Sequence, residues 1–195
     1  MTPDARSTGV MRVASGVFTA LAAAVNLALF VQAIQTYSLL MDVAQIDGAW
    51  IMLMLLVPVM KSAGLILAAA LIFIKGKGSC GIGFLAAGAG YAIFLAFVIA
   101  GPFAAQATAG MTALSGAEYA ATALCYLLLG ALALRCRAGR GVYILPAAFF
   151  VVSFIARVSI SGLGVSGCVQ SFAEFAAIVC TCVWLSAAGR GEGAN

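Results

Sequence analysis

Apolar residues in this chain gather into six long runs, separated by short breaks that hold glycine, charge or both. A helix that crosses the hydrocarbon core of a bilayer needs about 20 predominantly apolar residues. The runs predict spanning helices over 13–40, 49–74, 81–101, 114–134, 142–161 and 168–188. The implied fold is an all-α membrane protein, a six-helix transmembrane bundle made of three consecutive helical hairpins. Only short tails and connections are left over, so residues 1–195 read as a single polytopic membrane domain.

Composition points the same way. The chain is 65% hydrophobic and 8% charged, with a mean hydropathy of +1.16. Soluble domains are about 25% charged and 45–50% apolar. Inside lipid, apolar burial gives helices no reason to associate, so packing has to come from small residues and buried polar contacts. The 22 glycines suit that requirement. The third run shows it most clearly, with Gly83, Ala87 and Gly90 at close-packing spacing and Ala86 nearby.

The basic residues then set an orientation. Arg6 and Arg12 precede the first run, and Lys75 and Lys77 follow the second. Arg135, Arg137 and Arg140 follow the fourth, and Arg190 follows the sixth. The alternate gaps at 41–48, 102–113 and 162–167 hold no Lys or Arg, and the first of them carries Asp42 and Asp47. Cytoplasmic loops are enriched in Lys and Arg, so both termini are expected in the cytoplasm of a multi-pass cell-membrane protein. The formal charge of +4 is therefore topological and implies no nucleic-acid partner. Ala22-Ala23-Ala24 resembles a signal-peptide cleavage site behind a basic start. The apolar run continues well past it, so the first helix is expected to be retained.

Residues 115–121 (Ser-Gly-Ala-Glu-Tyr-Ala-Ala) and 171–177 (Ser-Phe-Ala-Glu-Phe-Ala-Ala) read as related segments of helices four and six. Met60-Lys61-Ser62-Ala63 holds a similar place in helix two, with Lys in place of Glu. Two-helix repeats of this kind would be parallel repeats about an axis along the membrane normal. Pro58 and Pro146 each fall within a predicted span, where proline frees a backbone carbonyl.

Four charged residues lie in or at the edge of the spans: Lys61, Glu118, Arg157 and Glu174. A charge at the bilayer centre costs about 2.5–3.5 kcal/mol on insertion scales, so such residues face the interior and pair. Counting from the outer ends at about 1.5 Å per residue puts Lys61 roughly 18 Å deep and Glu174 roughly 9 Å deep. Arg157 and Glu174 sit on sequential helices, so they are expected to pair, with Lys61 facing Glu118, Glu174 or both. Polar residues at helical spacing extend this pattern: Glu118, Thr122 and Cys125; Ser153, Arg157 and Ser161; Ser15, Thr19 and Asn26. Residues three or four apart share a helix face. Lys61, Glu174, Arg157, Glu118, Asn26 and Thr122 are thus the candidate solute-binding residues. The same contacts could instead be salt bridges and hydroxyl pairs that only fix helix register.

The remaining features exclude more than they assign. The six cysteines form no CxxC and read as small buried residues. The absence of His removes the commonest general base and metal ligand. An enzyme, a cofactor and a metal are not expected. The turns Gly76-Lys77-Gly78 and Arg137-Ala138-Gly139-Arg140-Gly141 lack the spacing of a phosphate-cradling loop and suit anionic lipid headgroups.

In size, helix count and cytoplasmic termini the chain is similar to the substrate-capturing subunits of energy-coupling-factor vitamin transporters. The small-residue spacing of Ala20, Ala24 and Ala28 echoes a contact helix of that group. The resemblance is one of topology and transfers no binding residue. The function expected is small-solute transport or solute binding in the bilayer, with a small polar or anionic solute and partner membrane subunits. The competing expectation is a structural or accessory subunit of a larger membrane complex.

Overall fold

A computed structural model describes residues 3–44, 48–75, 78–100, 113–135, 140–161 and 164–191. The described residues form six α-helices and one short 3₁₀ turn, with no strand among them. The helices are α1 (Pro3–Ala44), α2 (Gly48–Ile74), α3 (Cys80–Ala100), α4 (Ala113–Arg135), α5 (Leu145–Ser161) and α6 (Val165–Gly191). Each contains or adjoins an apolar stretch long enough to cross a membrane: Thr8–Thr36, Ile51–Ile74, Cys80–Ala100, Ala113–Arg135, Gly141–Ile160 and Val165–Ala188. The six helices correspond to the six apolar runs of the sequence, with differences at the ends. At about 1.5 Å per residue α1 is roughly 63 Å long, about twice the thickness of the hydrocarbon core. Lys77 and Arg137, Asp47, Cys136 and the loop 101–112 lie outside the described residues, as do the side chains of Arg6, Asp42, Arg140, Ser161 and Arg190.

The two prolines behave differently. Pro58 lies inside α2, which continues through it to Ile74. Pro146 lies in the first turn of α5, behind the 3₁₀ turn Arg140–Ile144, and does not interrupt a helix. Backbone N–H groups of a first turn have no intrahelical acceptor, so a proline there sacrifices nothing.

The helices pack in chain order, α1 on α2, α2 on α3, α3 on α4 and α4 on α5, and α6 returns to pack along α1. The result is a ring of six helices whose thinnest seam is α5–α6, with α4 and α6 touching across the interior. Large side chains fill the middle, among them Leu65, Ile72, Phe84, Leu129, Ile178 and Trp184. Cys80, Cys125 and Cys182 are buried in this core as expected, whereas Cys168 is exposed. Outward faces carry apolar residues such as Val17, Met52, Ile99, Ile155 and Phe172. Ala20, Ala24 and Ala28 also face outward.

Glycine decides the α2–α3–α4 half of the ring. A β-carbon added at Gly64 would lie 2.5 Å from the Gly83 carbonyl oxygen and 2.6 Å from the Ala87 nitrogen. One added at Gly83 would run into the backbone of Ala68. The opposite side of α3 is just as tight, because a β-carbon at Gly81 would sit 2.6 Å from the Gly130 carbonyl oxygen. Helix α3 is therefore held between two backbones at van der Waals distance, the arrangement that small residues permit in membranes. The expected side of Gly83, Ala87 and Gly90 faces α2, and the second side, Gly81 and Gly88, faces α4.

Along every one of these seams residue numbers rise on one helix as they fall on the next. Gly64 meets Gly83 while Met60 meets Gly90, and Gly81 meets Gly130 while Gly88 meets Leu127. At the end of the α1–α2 pair, Arg12 donates from Nε to the Ile72 carbonyl at 2.7 Å and from Nη2 to the Phe73 carbonyl at 2.7 Å. Those carbonyls belong to the last turn of α2, where backbone acceptors lack helical partners and a cation is favoured.

Gly83→Ala is expected to destabilise the bundle by about 1–3 kcal/mol, the usual cost of overpacking a site that cannot yield. Gly9→Ala is the control, since nothing lies within 4 Å of its added carbon. Thermal unfolding of both variants in detergent checks this. Equal midpoints would mean that the α2–α3 seam can spread.

Candidate functional site

The polar residues of the spans converge on the centre of the ring. Lys61 of α2 extends inward and its Nζ meets Oε1 of Glu174 on α6 at 2.6 Å. Lys61 is 2% exposed and Glu174 0%, so the pair is sealed from solvent. Asn26 of α1 donates from Nδ2 to the same oxygen at 2.9 Å. The Tyr126 hydroxyl of α4 donates to Oε2 at 3.1 Å. Both carboxylate oxygens are thus engaged, one by a cation and an amide and the other by a phenol.

The ammonium is held differently. It meets Glu174 at 2.6 Å, and no other acceptor among the described residues satisfies its N–H groups. Its remaining surroundings are aromatic, with the Tyr91 ring centroid at 5.7 Å and the Tyr126 centroid at 6.0 Å. A cation within about 6 Å of a ring face is attracted by the ring's quadrupole. Lys61 therefore sits between one carboxylate and two tyrosines, a setting that stabilises charge without fixing its direction.

A polar string leads from this pair toward the rim. Gln170, half-buried and one turn before Glu174 on α6, donates from Nε2 to Oδ1 of Asn26 at 2.9 Å. Asn26 thus accepts from Gln170 and donates to Glu174, and it also donates to the Ala22 carbonyl at 2.8 Å. Gln170, Asn26, Glu174 and Lys61 form one continuous run from the half-buried rim to the sealed pair.

The second ion pair lies on the α4–α5 seam. Arg157 Nε donates to Oε1 of Glu118 at 2.8 Å, and these residues are 18% and 19% exposed. One turn further along, the hydroxyls of Thr122 and Ser153 meet at 2.6 Å, while Thr122 also donates to the Glu118 carbonyl at 2.8 Å. Ser15 and Thr181 make the corresponding contact between α1 and α6 at 2.7 Å.

The expected partnership of Arg157 with Glu174 is therefore corrected. Arg157 pairs with Glu118, and Glu174 pairs with Lys61. The reason is seam geometry. Helices α5 and α6 adjoin only lightly, whereas α5 lies along α4 and presents Arg157 to it. Adjacency in sequence was a poor guide to adjacency of these charges. The depth of Glu174 also changes, because α6 begins at Val165 and puts it about 14 Å from the helix start.

Of the six candidate residues Lys61, Glu174, Asn26 and Thr122 are buried, and Arg157 and Glu118 are half-buried. Lys61, Glu174 and Asn26 share the central cluster, and Arg157, Glu118 and Thr122 share the flanking seam. The three polar stripes also come together largely as spaced, although Cys125 makes no polar contribution and joins the apolar core. Tyr126, Gln170, Tyr91 and Thr181 were missed. The first two were within reach, since Tyr126 follows Thr122 by four residues and Gln170 precedes Glu174 by four. Tyr91 and Thr181 carry no such signal, because an isolated Tyr or Thr on an apolar helix is ordinary glue.

No protein-family model, no curated protein and no solved structure matches this chain.

Removing one member of a buried pair strands the other charge and costs roughly 3–5 kcal/mol. Glu174→Gln is expected to lower stability by that order, and Lys61→Met with Glu174→Gln to recover much of the loss. A double-mutant cycle on thermal or denaturant unfolding should be strongly non-additive for Lys61 with Glu174. The cycle for Arg157 with Glu174 should show a smaller coupling, the through-space attraction of two charges that do not touch. The reverse ranking would mean that the charges exchange partners in the membrane.

Proposed function

We propose that this chain is a non-enzymatic, multi-pass membrane unit that binds or passes a small polar or anionic solute, with Lys61 and Glu174 as the closed form of its internal site. The observation that carries this reading is a sealed cation–anion pair connected by Gln170 and Asn26 to the half-buried rim. A buried ion pair is a poor device for stability alone, because apolar replacements of similar volume are often as stable or more so. A solute that offers Lys61 an anion or Glu174 a donor could replace one partner for the other without leaving a stranded charge. An ammonium with one carboxylate partner and two tyrosine faces around it suits such an exchange.

The accompanying topology is three consecutive hairpins with both termini in the cytoplasm of a cell membrane. Support comes from the opposed residue numbering along the α2–α3, α3–α4, α4–α5 and α1–α6 seams and from the alternation of Lys and Arg between gaps. The Gln170 end of the string then faces outward. Reporter fusions at Asn195 and within 102–113 are expected to fall on opposite sides of the membrane. A non-cytoplasmic C-terminus would reverse the direction of access.

A second reading is a structural or accessory subunit, favoured by one observation: both oxygens of Glu174 already have partners, so the pair could be a permanent pin between α2 and α6. The two readings part on opening. Ser62, next to Lys61, is buried, and its hydroxyl has no hydrogen-bond partner among the described residues. Under the transport reading Ser62→Cys in vesicles should react with a small membrane-impermeant thiol reagent added from the Gln170 side. The native buried Cys125 and Cys182 in the same chain serve as unreactive controls, read by mass spectrometry of each peptide. Modification of Ser62→Cys no faster than at Cys125 would leave the structural reading.

A further inference from the structure

The closed pair is neutral as a unit. Lys61 carries a positive charge and Glu174 a negative one, and their contact of 2.6 Å leaves no space between them. The flanking Arg157–Glu118 pair is likewise balanced and supplies no spare charge. A solute therefore lies between Lys61 and Glu174 only once they part, and it then has to meet both. A lone anion on Lys61 would leave the Glu174 carboxylate without a cation in a sealed interior. A lone cation on Glu174 would strand the Lys61 ammonium in the same way. Either is costly in a lipid-embedded bundle.

The place held by the Lys61 head is itself built for an ammonium group. With that head withdrawn, Glu174 still has Asn26 and Tyr126 donating to its oxygens. Two tyrosine rings stand around the vacated point, Tyr91 with its centroid at 5.7 Å and Tyr126 at 6.0 Å. A carboxylate flanked by ring faces is a setting that attracts organic ammonium groups in general. The rings continue beyond it. Tyr91 lies 5.8 Å from Tyr119, and Tyr119 lies 4.9 Å from Phe94, centroid to centroid. These rings belong to α3 and α4, whereas the polar string through Asn26 and Gln170 belongs to α1 and α6. Carbon attached to an ammonium at this point would meet aromatic surface on the α3–α4 side.

We infer that the solute of this site is a zwitterion, an α-amino acid with an apolar side chain. Its ammonium takes the place of the Lys61 head between Glu174 and the rings of Tyr91 and Tyr126. Its carboxylate takes Lys61, and its side chain lies toward Tyr119 and Phe94. The charges then alternate from Glu174 through ammonium and carboxylate to Lys61, and they sum to zero as they do in the closed form. No proton has to enter or leave with the solute. The inference rests on the solute-binding reading above and narrows its solute class.

The test titrates the purified full chain in detergent, near neutral pH, with each apolar α-amino acid in turn. Beside each stand the amine and the acid that it becomes on losing its carboxylate or its ammonium (for phenylalanine, phenethylamine and 3-phenylpropionate). Calorimetric titration and the rise of the thermal midpoint with ligand both report binding. At least one amino acid is expected to bind, and its amine and its acid about a hundredfold or more weaker, because each strands a charge. Lys61→Met with Glu174→Gln, which keeps the interior neutral, should lose the binding. Tyr91→Leu should weaken it by about five- to thirtyfold, the effect of a desolvated cation losing one ring face. Tyr91→Phe keeps the ring and should keep the affinity, and the midpoint of each variant without ligand shows that it is folded. An amine or acid that binds as tightly as its amino acid, or binding unchanged in the double variant, would overturn the inference. So would no binding by any of these amino acids. In that last case Ser62→Cys labelled from the Gln170 side would keep the solute-binding reading with another solute class, and an unlabelled Ser62→Cys would remove the reading itself.

Discussion

Lys61 and Glu174 come from helices that do not adjoin each other, and neither can hold its charge inside a lipid-embedded bundle alone. An isolated charge at the bilayer centre is costly, and an unpaired one in a packed interior more so. The contact of 2.6 Å between them therefore fixes how far α2 and α6 stand apart across the ring. Tyr126 and Asn26 complete the carboxylate, which brings α4 and α1 to the same point. Four helices are positioned by one carboxylate, and the aromatic faces of Tyr91 and Tyr126 fill the space that the ammonium leaves.

The ring divides into two halves held by different forces. From α2 through α4 the seams are backbone against backbone, with Gly64, Gly83, Gly81 and Gly130 leaving no room for a methyl group. Such contacts have one well-packed arrangement and resist displacement. From α4 through α5, and from α6 to α1, the seams rest on hydroxyl pairs, an amide and one ion pair. Hydrogen bonds of this kind in membranes are worth about 0.6 kcal/mol on average, and they can exchange partners. The α5–α6 seam is weaker than either and contains a groove.

Helix number and span positions were legible because lipid demands long apolar segments, and nothing else in this chain competes with that signal. The central residues were legible for a related reason: a charge such as Lys61 or Glu174 stands out in an apolar helix and has to face inward. Partner choice was not. Arg157 and Glu174 are close in sequence, yet pairing follows which helix faces which, and helix order around a ring is not written in periodicity. The groove was invisible as well, since Phe150, Phe154, Phe172 and Phe175 are ordinary lipid-facing or core residues until two helices fail to meet.

The partner of Asn26 lies 148 residues further along the chain. At ribosomal rates of about 5–20 residues per second, helix α1 waits roughly 7–30 s in the membrane before Glu174 is made. Through that interval its side chains need acceptors of their own. The bonds from Asn26 to the Ala22 carbonyl and from Thr19 to the Ser15 carbonyl supply them within a single helix. Thr122 and Thr181 hold the equivalent bonds on α4 and α6. Back-bonding thus lets these four side chains enter lipid already partnered, and assembly adds further partners to them. Lys61 has no such refuge within its own turn, so α2 is the segment that most needs an insertase or a neighbour to shield it until the last helix arrives.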